Sequence, residues 1–354
     1  MGAVPPGGPR RTERLAREQL DEQAWAYLAR GSGDEHTLRA NEAAWAAVRL
    51  VPHVLRDVSG IDTHCRLLGH DLASPLLLAP TAAHGLFHPG AEAETARGAA
   101  AADVLAVHSS LSTLEVGQVA AASSGPWWFQ AYVHQDRAFV RDLVQRAVSA
   151  GASALVVTVD LPVRGAWDSD RREERGGIVG AEYANLRGLE PPVVEAHRVH
   201  NPHHDARLTW SDLEWLRSAA GVPLLLKGIL RGDDAVLAVE HGADGVIVSN
   251  HGGRALDTVP ATAEALPGVL AAVAGRMPVL VDGGIRRGVD IATALSMGAS
   301  AVLVGRPYVW GLAVGGADGV RQVVEDLRTE LEMAMGMLGA ATLADLSPDL
   351  LWKS

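Results

Sequence analysis

The sequence predicts an α/β fold: a single (β/α)8 TIM barrel covering residues 1–354, with an N-terminal helical segment and a long lid loop after strand 4. Three observations predict it. Eight short apolar runs recur along the 354 residues, segments with helical spacing separate them, and small or polar residues close each run. Such runs are too short for buried helices. Strict alternation with helices makes them parallel strands joined by right-handed crossovers, and eight such units close into a barrel. The alternative is an open doubly wound sheet, which normally carries its glycine-rich loop after the first strand. Here the glycine-rich loops come late, at Asp282-Gly283-Gly284 and Gly305-Arg306.

Taken in order, Met1 to Arg11 is Gly/Pro-rich and is expected to be disordered, whereas Glu13 to Leu50 has helical spacing. The strands follow at Leu76–Ala79, Val104–Val107, Trp127–Ala131, Ala154–Val159, Val222–Leu226, Gly245–Val248, Met277–Val281 and Ala301–Val304. Amphipathic segments alternate with them at Ala91–Ala102, Thr113–Ala122, Arg137–Ala150, Trp210–Ala220, Asp233–His241, Ala261–Val273 and Val289–Met297, and a last helix is expected over Gly319–Met337. One connection breaks the rhythm: Leu161 to Leu208 has no clear period and is rich in Gly, Arg, Pro and His. A segment this long inside a compact domain reads as a lid. It follows strand 4 and so belongs over the C-terminal face, where barrels build their active sites. At roughly 150 residues per domain the length alone would also allow two domains.

Composition narrows the function classes. Hydrophobic residues make up 48% and charged residues 21%, which excludes disorder as the main state. With 42 acids against 31 Lys plus Arg, the formal charge is −11, and no basic run offsets it. Nucleic acid and anionic membrane are therefore excluded as partners. A lone Cys65 rules out an internal disulfide and a cysteine-based metal site, and no metal is expected. The N-terminus lacks the apolar core of a secretory signal, Pro6 spoils a myristoylation pattern, and no window approaches the roughly 18 apolar residues that span a bilayer. A cytoplasmic protein is expected.

In a barrel, chemistry belongs just past the strand ends. Those positions hold Thr81 and Ala82, Ser109, Gln130 and Tyr132, Thr158 and Asp160, Lys227, Ser249 to Arg254, Asp282 to Arg286, and Gly305-Arg306. Any one of them reads equally well as a turn residue or a cap; eight together mark one polar face. In Ser249-Asn250-His251-Gly252-Gly253-Arg254 the two glycines permit a tight turn, so His251 and Arg254 can face one pocket. Imidazole is the natural base near neutral pH, and a guanidinium binds a carboxylate through two parallel hydrogen bonds. Gly283-Gly284-Ile285-Arg286 and Gly305-Arg306-Pro307 combine free backbone N–H groups with arginines, the chemistry of a phosphate site. Lys227 needs an anion or a polarisable acceptor to be buried. An electron-rich cofactor ring would serve, as would an ion pair with Asp160 or Asp282.

These motifs together resemble the FMN-dependent 2-hydroxy acid oxidases and dehydrogenases, the family of glycolate, lactate and mandelate oxidases. The similarity runs from about Gln19 to Gly339. Its most specific piece is Ser249 to Arg254 with Leu256-Asp257, supported by Ala79-Pro80-Thr81-Ala82, Trp128-Phe129-Gln130 with Tyr132, Thr158-Val159-Asp160 with Pro162, Leu226-Lys227-Gly228, Asp282-Gly283-Gly284 and Gly305-Arg306-Pro307. The resemblance implies FMN as cofactor, with a 2-hydroxy acid and oxygen as small-molecule partners. It also implies a homo-oligomer, a tetramer or octamer. His251 would be the active-site base and Asp160 the carboxylate that steadies it, while Arg254 and Tyr27 would clamp the substrate carboxylate. Tyr132 would bond the substrate hydroxyl, and Lys227 would sit beside the flavin's N1 and C2 carbonyl. Thr81, Ala82, Ser109, Gln130, Thr158 and Ser249 would line the ring or ribityl chain; Asp282, Gly284, Arg286, Gly305 and Arg306 would hold ribityl and phosphate.

Departures from the family pattern bear on substrate. Relatives usually carry a Gly and a basic pair after the strand-4 Asp-x-Pro, where this chain reads Gly165-Ala166-Trp167-Asp168; either Arg164, Arg171 or Arg172 substitutes, or the substrate does not need that charge. Leu111 stands where glycolate oxidases carry Trp, and Ala131 replaces a common Leu. Less bulk implies room for an aromatic, mandelate-like 2-hydroxy acid, oxidised to the 2-keto acid with hydrogen peroxide formed on reoxidation. The alternatives are a dehydrogenase using another electron acceptor, a flavin-dependent isomerase of the type 2 isopentenyl diphosphate kind, and a non-catalytic FMN-binding relative.

Overall fold

Leu-rich and Val-rich runs pair in sequence order around a ring, and the last returns to the first. The computed structural model describes residues 8–163, 182–189 and 204–352. Its barrel strands are β1 (Leu76–Leu78), β2 (Leu105–Ser109), β3 (Trp127–Ala131), β4 (Leu155–Thr158), β5 (Leu224–Ile229), β6 (Gly245–Val248), β7 (Val279–Val281) and β8 (Ala301–Val304). All neighbours are parallel, and β8 closes on β1 with Val302 opposite Leu76 and Val304 opposite Leu78. The expected (β/α)8 barrel is therefore the observed one.

Side chains alternate across a strand, and this period of two builds both layers of the core. Leu77, Leu105, Val107, Trp128, Val156, Leu225, Ile247, Leu280 and Leu303 fill the barrel interior. Leu76, Leu78, Phe129, Leu155, Val157, Leu226 and Val248 pack outward against the helices. Carried two residues further along each inner row, the same alternation reaches Ser109, Gln130, Thr158, Lys227, Ser249, Asp282 and Gly305, and Thr81 follows Ala79 in the same way. The polar set at the mouth is thus the continuation of the inner face.

Several element boundaries differ from expectation. Ser109, Gln130 and Lys227 lie within their strands, paired across the ladder as Ser109 with Gln130 and Thr158 with Lys227. A strand ends where its backbone pairing ends, not where its apolar run does. Ala131 is buried in the outer layer against the helices, so the space it frees is not in the mouth.

The N-terminal segment is three helices, α1 (Pro9–Gln19), α2 (Glu22–Ala29) and α3 (His36–Ala47). Pro9 to Arg11, expected to be disordered, form the first turn of α1, where the missing proline N–H is no loss. Residues 1–7 lie outside the described residues. An antiparallel hairpin, Cys65–Leu67 with His70–Leu72, precedes β1. Its Leu67 and Leu72 join the interior cluster and plug the N-terminal end of the barrel.

The outer helices are α4 (Ala91–Ala101), α5 (Val116–Ala122), α6 (Arg137–Ser149), α7 (Leu213–Ala220), α8 (Gly232–Glu240), α9 (Thr262–Val273), α10 (Gly288–Met297) and α11 (Arg306–Leu338). The last begins earlier than expected and kinks at Gly315 and Gly316, where φ is −147° and 59°. Among the described residues no helix is long and apolar enough to cross a membrane.

Most of the expected lid, residues 164–181 and 190–203, lies outside the described residues. What is described of it is docked. The 3-10 turn Ala184–Leu186 packs at the start of α5, with Val116 N donating to Asn185 Oδ1 at 2.8 Å. His204 and Asp205 return to the barrel, Asp205 N donating to the Val133 carbonyl at 2.7 Å.

Candidate active site

Beyond β6 the chain turns through three successive left-handed residues, His251, Gly252 and Gly253, with φ of 60°, 64° and 74°. Two glycines meet this without a Cβ penalty, and histidine is among the few side chains that enter the region. The turn is held from below. Asn250 and Asn41 of α3 exchange amide hydrogen bonds of 2.8 and 2.9 Å, both residues being buried. Gly253 N donates to Asn250 Oδ1 at 3.1 Å, and His251 N donates to Ser249 Oγ at 3.1 Å. A Cβ on Gly253 would lie 2.7 Å from the Leu38 backbone, so glycine is what lets α3 approach.

This turn aims the His251 ring between two partners. Nδ1 lies 2.9 Å from Asp160 Oδ1, and Nε2 lies 3.5 Å from the Tyr132 hydroxyl. Gly228 makes room for the carboxylate, since a Cβ there would sit 2.5 Å from Asp160 Cβ. Burial works to raise the Asp160 pKa, but His251 and Lys227 outweigh it and hold the carboxyl below its ordinary value. Asp160 is therefore an anion at neutral pH. Burial, reinforced by Asp160, pushes the Tyr132 phenol well above its ordinary value, so Tyr132 keeps its proton.

Two arginines secure the end of α2. Arg254 Nη1 donates to the carbonyls of Tyr27 and Arg30 at 2.8 Å each, and its guanidinium stacks 4.8 Å from the centre of the Tyr27 ring. Arg306 donates to the carbonyls of Leu28 (2.9 Å), Gly252 (3.0 Å) and Arg30 (2.9 Å). Both fill the unpaired carbonyls of a helix C-terminus, where cations are favoured. The Arg306 side chain, expected on a phosphate, thus spends three of its five N–H donors on backbone carbonyls and keeps two, with its charge, for an anion. Asp257 completes the dock, accepting N–H bonds from Asp34, His36 and Thr37 at 3.0, 3.2 and 2.8 Å.

Around the rest of the mouth the polar residues bond one another. Lys227 is 4% exposed, with Nζ 3.0 Å from Asp282 Oδ2 and 2.8 Å from Ser249 Oγ. Of the two expected ion-pair partners, Asp282 is the one in contact. Ser109 donates to Gln130 at 2.8 Å, and Gln130 donates to Thr158 at 3.0 Å. Thr81 and Ala82 are half-buried, and a Cβ added to Gly305 would meet Thr81 at 3.6 Å. Gly284 is needed for the close approach of α3, because its Cβ would fall 2.3 Å from the Asn41 carbonyl. Arg286 pairs with Glu42 at 3.2 Å and lies 5.4 Å from the Trp310 ring. Two buried oxygens, Asp282 Oδ1 and Asp160 Oδ2, have no hydrogen-bond partner among the described residues.

Sequence reasoning passed over several neighbours of this site. His204 stacks on Tyr132, ring centres 4.1 Å apart, and its Nδ1 lies 2.8 Å from the Leu161 carbonyl. Tyr183 is close enough to Tyr27 and Tyr132 to couple electrostatically with both. Both sit in the aperiodic insertion, where no pattern marks a position. Trp45 Nε1 donates to the Gly283 carbonyl at 2.8 Å, a contact for which only the helical period of α3 could have given a hint. The departure at Gly165-Ala166-Trp167-Asp168, with Arg164, Arg171 and Arg172, lies outside the described residues.

The family model described as FMN-dependent dehydrogenase matches residues 16–353. The chain belongs to that family. It is 46% identical over 350 residues to an L-lactate oxidase from Nostoc sp., covering 96% of each chain. It is 43% identical over 351 residues to a peroxisomal (S)-2-hydroxy-acid oxidase from Oryza sativa subsp. japonica, covering 97% of this chain and 94% of that one. Among solved structures it superposes on a mandelate oxidase bound to (S)-2-phenylpropionate with a TM-score of 0.87 and 40% identity, covering 96% of each. The protein is accordingly an FMN-dependent oxidoreductase of the 2-hydroxy acid oxidase type.

Proposed function

We propose that this member of the family oxidises an aromatic, mandelate-like 2-hydroxy acid to the 2-keto acid and passes the electrons to oxygen, forming hydrogen peroxide. The observation that carries the reading is the His251 ring held between Asp160 at Nδ1 and Tyr132 at Nε2, with Arg254 and Tyr27 alongside. The mouth suits FMN on its own chemistry. It offers a buried ammonium, a chain of amide and hydroxyl groups, and an aspartate oxygen still lacking a donor, as a ribityl hydroxyl would supply. Thr81, Ala82, Ser109, Gln130, Thr158, Lys227 and Ser249 would line the ring and upper ribityl chain. Asp282, Gly284, Arg286, Gly305 and Arg306 would border the lower ribityl chain and phosphate. When bound, FMN supplies the two-electron acceptor.

The side chains supply the rest. Arg254 and Tyr27 bind the substrate carboxylate. Tyr132, kept protonated by burial, bonds the substrate hydroxyl. His251 takes a proton at Nε2, and the Asp160 anion at Nδ1 stabilises the imidazolium that results. Lys227 brings positive charge to the inner wall, where electron transfer builds negative charge.

The aromatic substrate class is supported by the mandelate oxidase likeness and by Leu111, a half-buried residue in the loop after β2. We further propose a cytoplasmic homo-oligomer, a tetramer or octamer, organised as one domain. Mixing the FMN-loaded protein anaerobically with glycolate, lactate and both mandelate enantiomers tests the reading. One mandelate enantiomer should bleach the flavin fastest, and air should restore the colour with peroxide formed. If none bleaches it, the oxidation reading fails; if lactate is fastest, only the aromatic refinement fails.

A further inference from the structure

Below Thr81 lies a buried histidine that the proposed chemistry does not use. His84 is 2% exposed and sits in the 3-10 turn His84–Leu86 after β1. Five contacts connect it to the mouth. Its Nδ1 is 2.9 Å from Thr95 Oγ1 of α4, and its Nε2 is 2.6 Å from Thr81 Oγ1 and 3.3 Å from the Tyr308 hydroxyl. Thr81 Oγ1 contacts the Tyr308 hydroxyl, which lies 2.9 Å from the Ala79 carbonyl.

The protons in this chain can be placed without choice. A carbonyl only accepts, so Tyr308 gives its single proton to Ala79. Thr81 must then give its single proton to Tyr308. With that proton spent, the contact between Thr81 and His84 needs a proton on Nε2. Burial, acting against the pull of Glu92, lowers the His84 pKa, so the ring is neutral and Nδ1 is bare. Nδ1 accordingly accepts from Thr95. The Nε2 proton also serves the longer contact to the Tyr308 hydroxyl, and every other assignment leaves one of the five contacts without a proton.

We infer that His84 is a positioning residue for the cofactor site: by donating from Nε2 it fixes Thr81 with its proton turned toward Tyr308, so that Thr81 meets the bound cofactor only as a hydrogen-bond acceptor. The cofactor must then bring a donor, and FMN has them at its ring N–H and its ribityl hydroxyls. This inference rests on the placement of Thr81 at the FMN site proposed above.

The test is FMN binding to the apo-protein, followed by quenching of flavin fluorescence, with the melting temperature of each apo-variant as a check on folding. His84→Gln places an amide N–H close to the Nε2 position, whereas His84→Asn places its amide near Nδ1 and cannot reach Thr81. The two changes burden the core similarly. His84→Gln should bind FMN within about twofold of the parent, and His84→Asn about three- to tenfold more weakly, the effect of one hydrogen bond. Thr81→Val should weaken binding by the same factor, and Thr81→Val with His84→Asn no further. Equal binding by the Gln and Asn variants, or losses that multiply in the double variant, would overturn the inference. A parent protein that binds FMN but is bleached by no hydroxy acid would sink the oxidation reading and leave this test intact.

Discussion

Replacing Asp160 by Asn removes one charge and leaves the shape of the site, so it isolates what the carboxylate does for His251. The carboxylate oxygen lies 2.9 Å from Nδ1, is buried, and is held as an anion by His251 and Lys227 against the effect of burial. A hydrogen bond to a charged partner contributes about 1.5–3 kcal/mol, against roughly 1 kcal/mol for a neutral one. The charged form matters only once His251 has gained its proton, so the loss belongs to the transition state and not to substrate binding. Asn keeps the neutral bond, so the loss is about 0.5–2 kcal/mol; at about 1.36 kcal/mol per factor of ten, kcat/KM should fall roughly 2- to 30-fold, nearly all of it in kcat. Stopped-flow measurement of anaerobic flavin bleaching over a range of substrate concentrations reads the two parameters separately. A variant whose limiting bleaching rate equals the parent's, or one whose loss lies wholly in KM, would refute this role for Asp160.

Other consequences follow from the same geometry. Arg254→Lys gives up the two-carbonyl bridge and the stack on Tyr27, so KM should rise about tenfold or more while the protein stays folded; steady-state kinetics at several substrate concentrations will show it. Asp257 is held down to about 2: burial opposes this, and the N–H groups of Thr37, Thr258 and His36 outweigh it. A depressed carboxylate contributes stability above its unfolded pKa, near 4, and that contribution is lost as pH falls through the folded value. The gap in melting temperature between the parent and Asp257→Asn should therefore be widest above pH 4 and close toward pH 2; a gap constant with pH would contradict it. Gly319→Ala would drive a methyl group to 1.9 Å from the Gly311 carbonyl oxygen, where the two halves of α11 meet, and a loss of at least about 2 kcal/mol in urea unfolding is expected.

Much of this protein is determined by local sequence. Eight apolar runs and the helices between them settle the barrel, because period-two burial and short crossovers admit few other closures. The mouth was legible for the same reason. Ser109, Gln130, Thr158, Lys227, Ser249 and Asp282 stand one alternation beyond the interior row, so their inward placement follows from counting along each strand. What the sequence could not decide is how a side chain with many possible partners spends its hydrogen bonds. Arg306 and Arg286 both read as phosphate ligands, and only the fold shows that one also bonds three backbone carbonyls and the other also pairs with Glu42. Ala131 reads as free space beside Tyr132, and only the closed barrel shows that it faces the helices. His84 carried no signal at all, because its partners Thr81, Thr95 and Tyr308 come from three separate elements. Pattern along a chain records which face is buried; the direction of a proton is set only when distant residues are brought within hydrogen-bond reach.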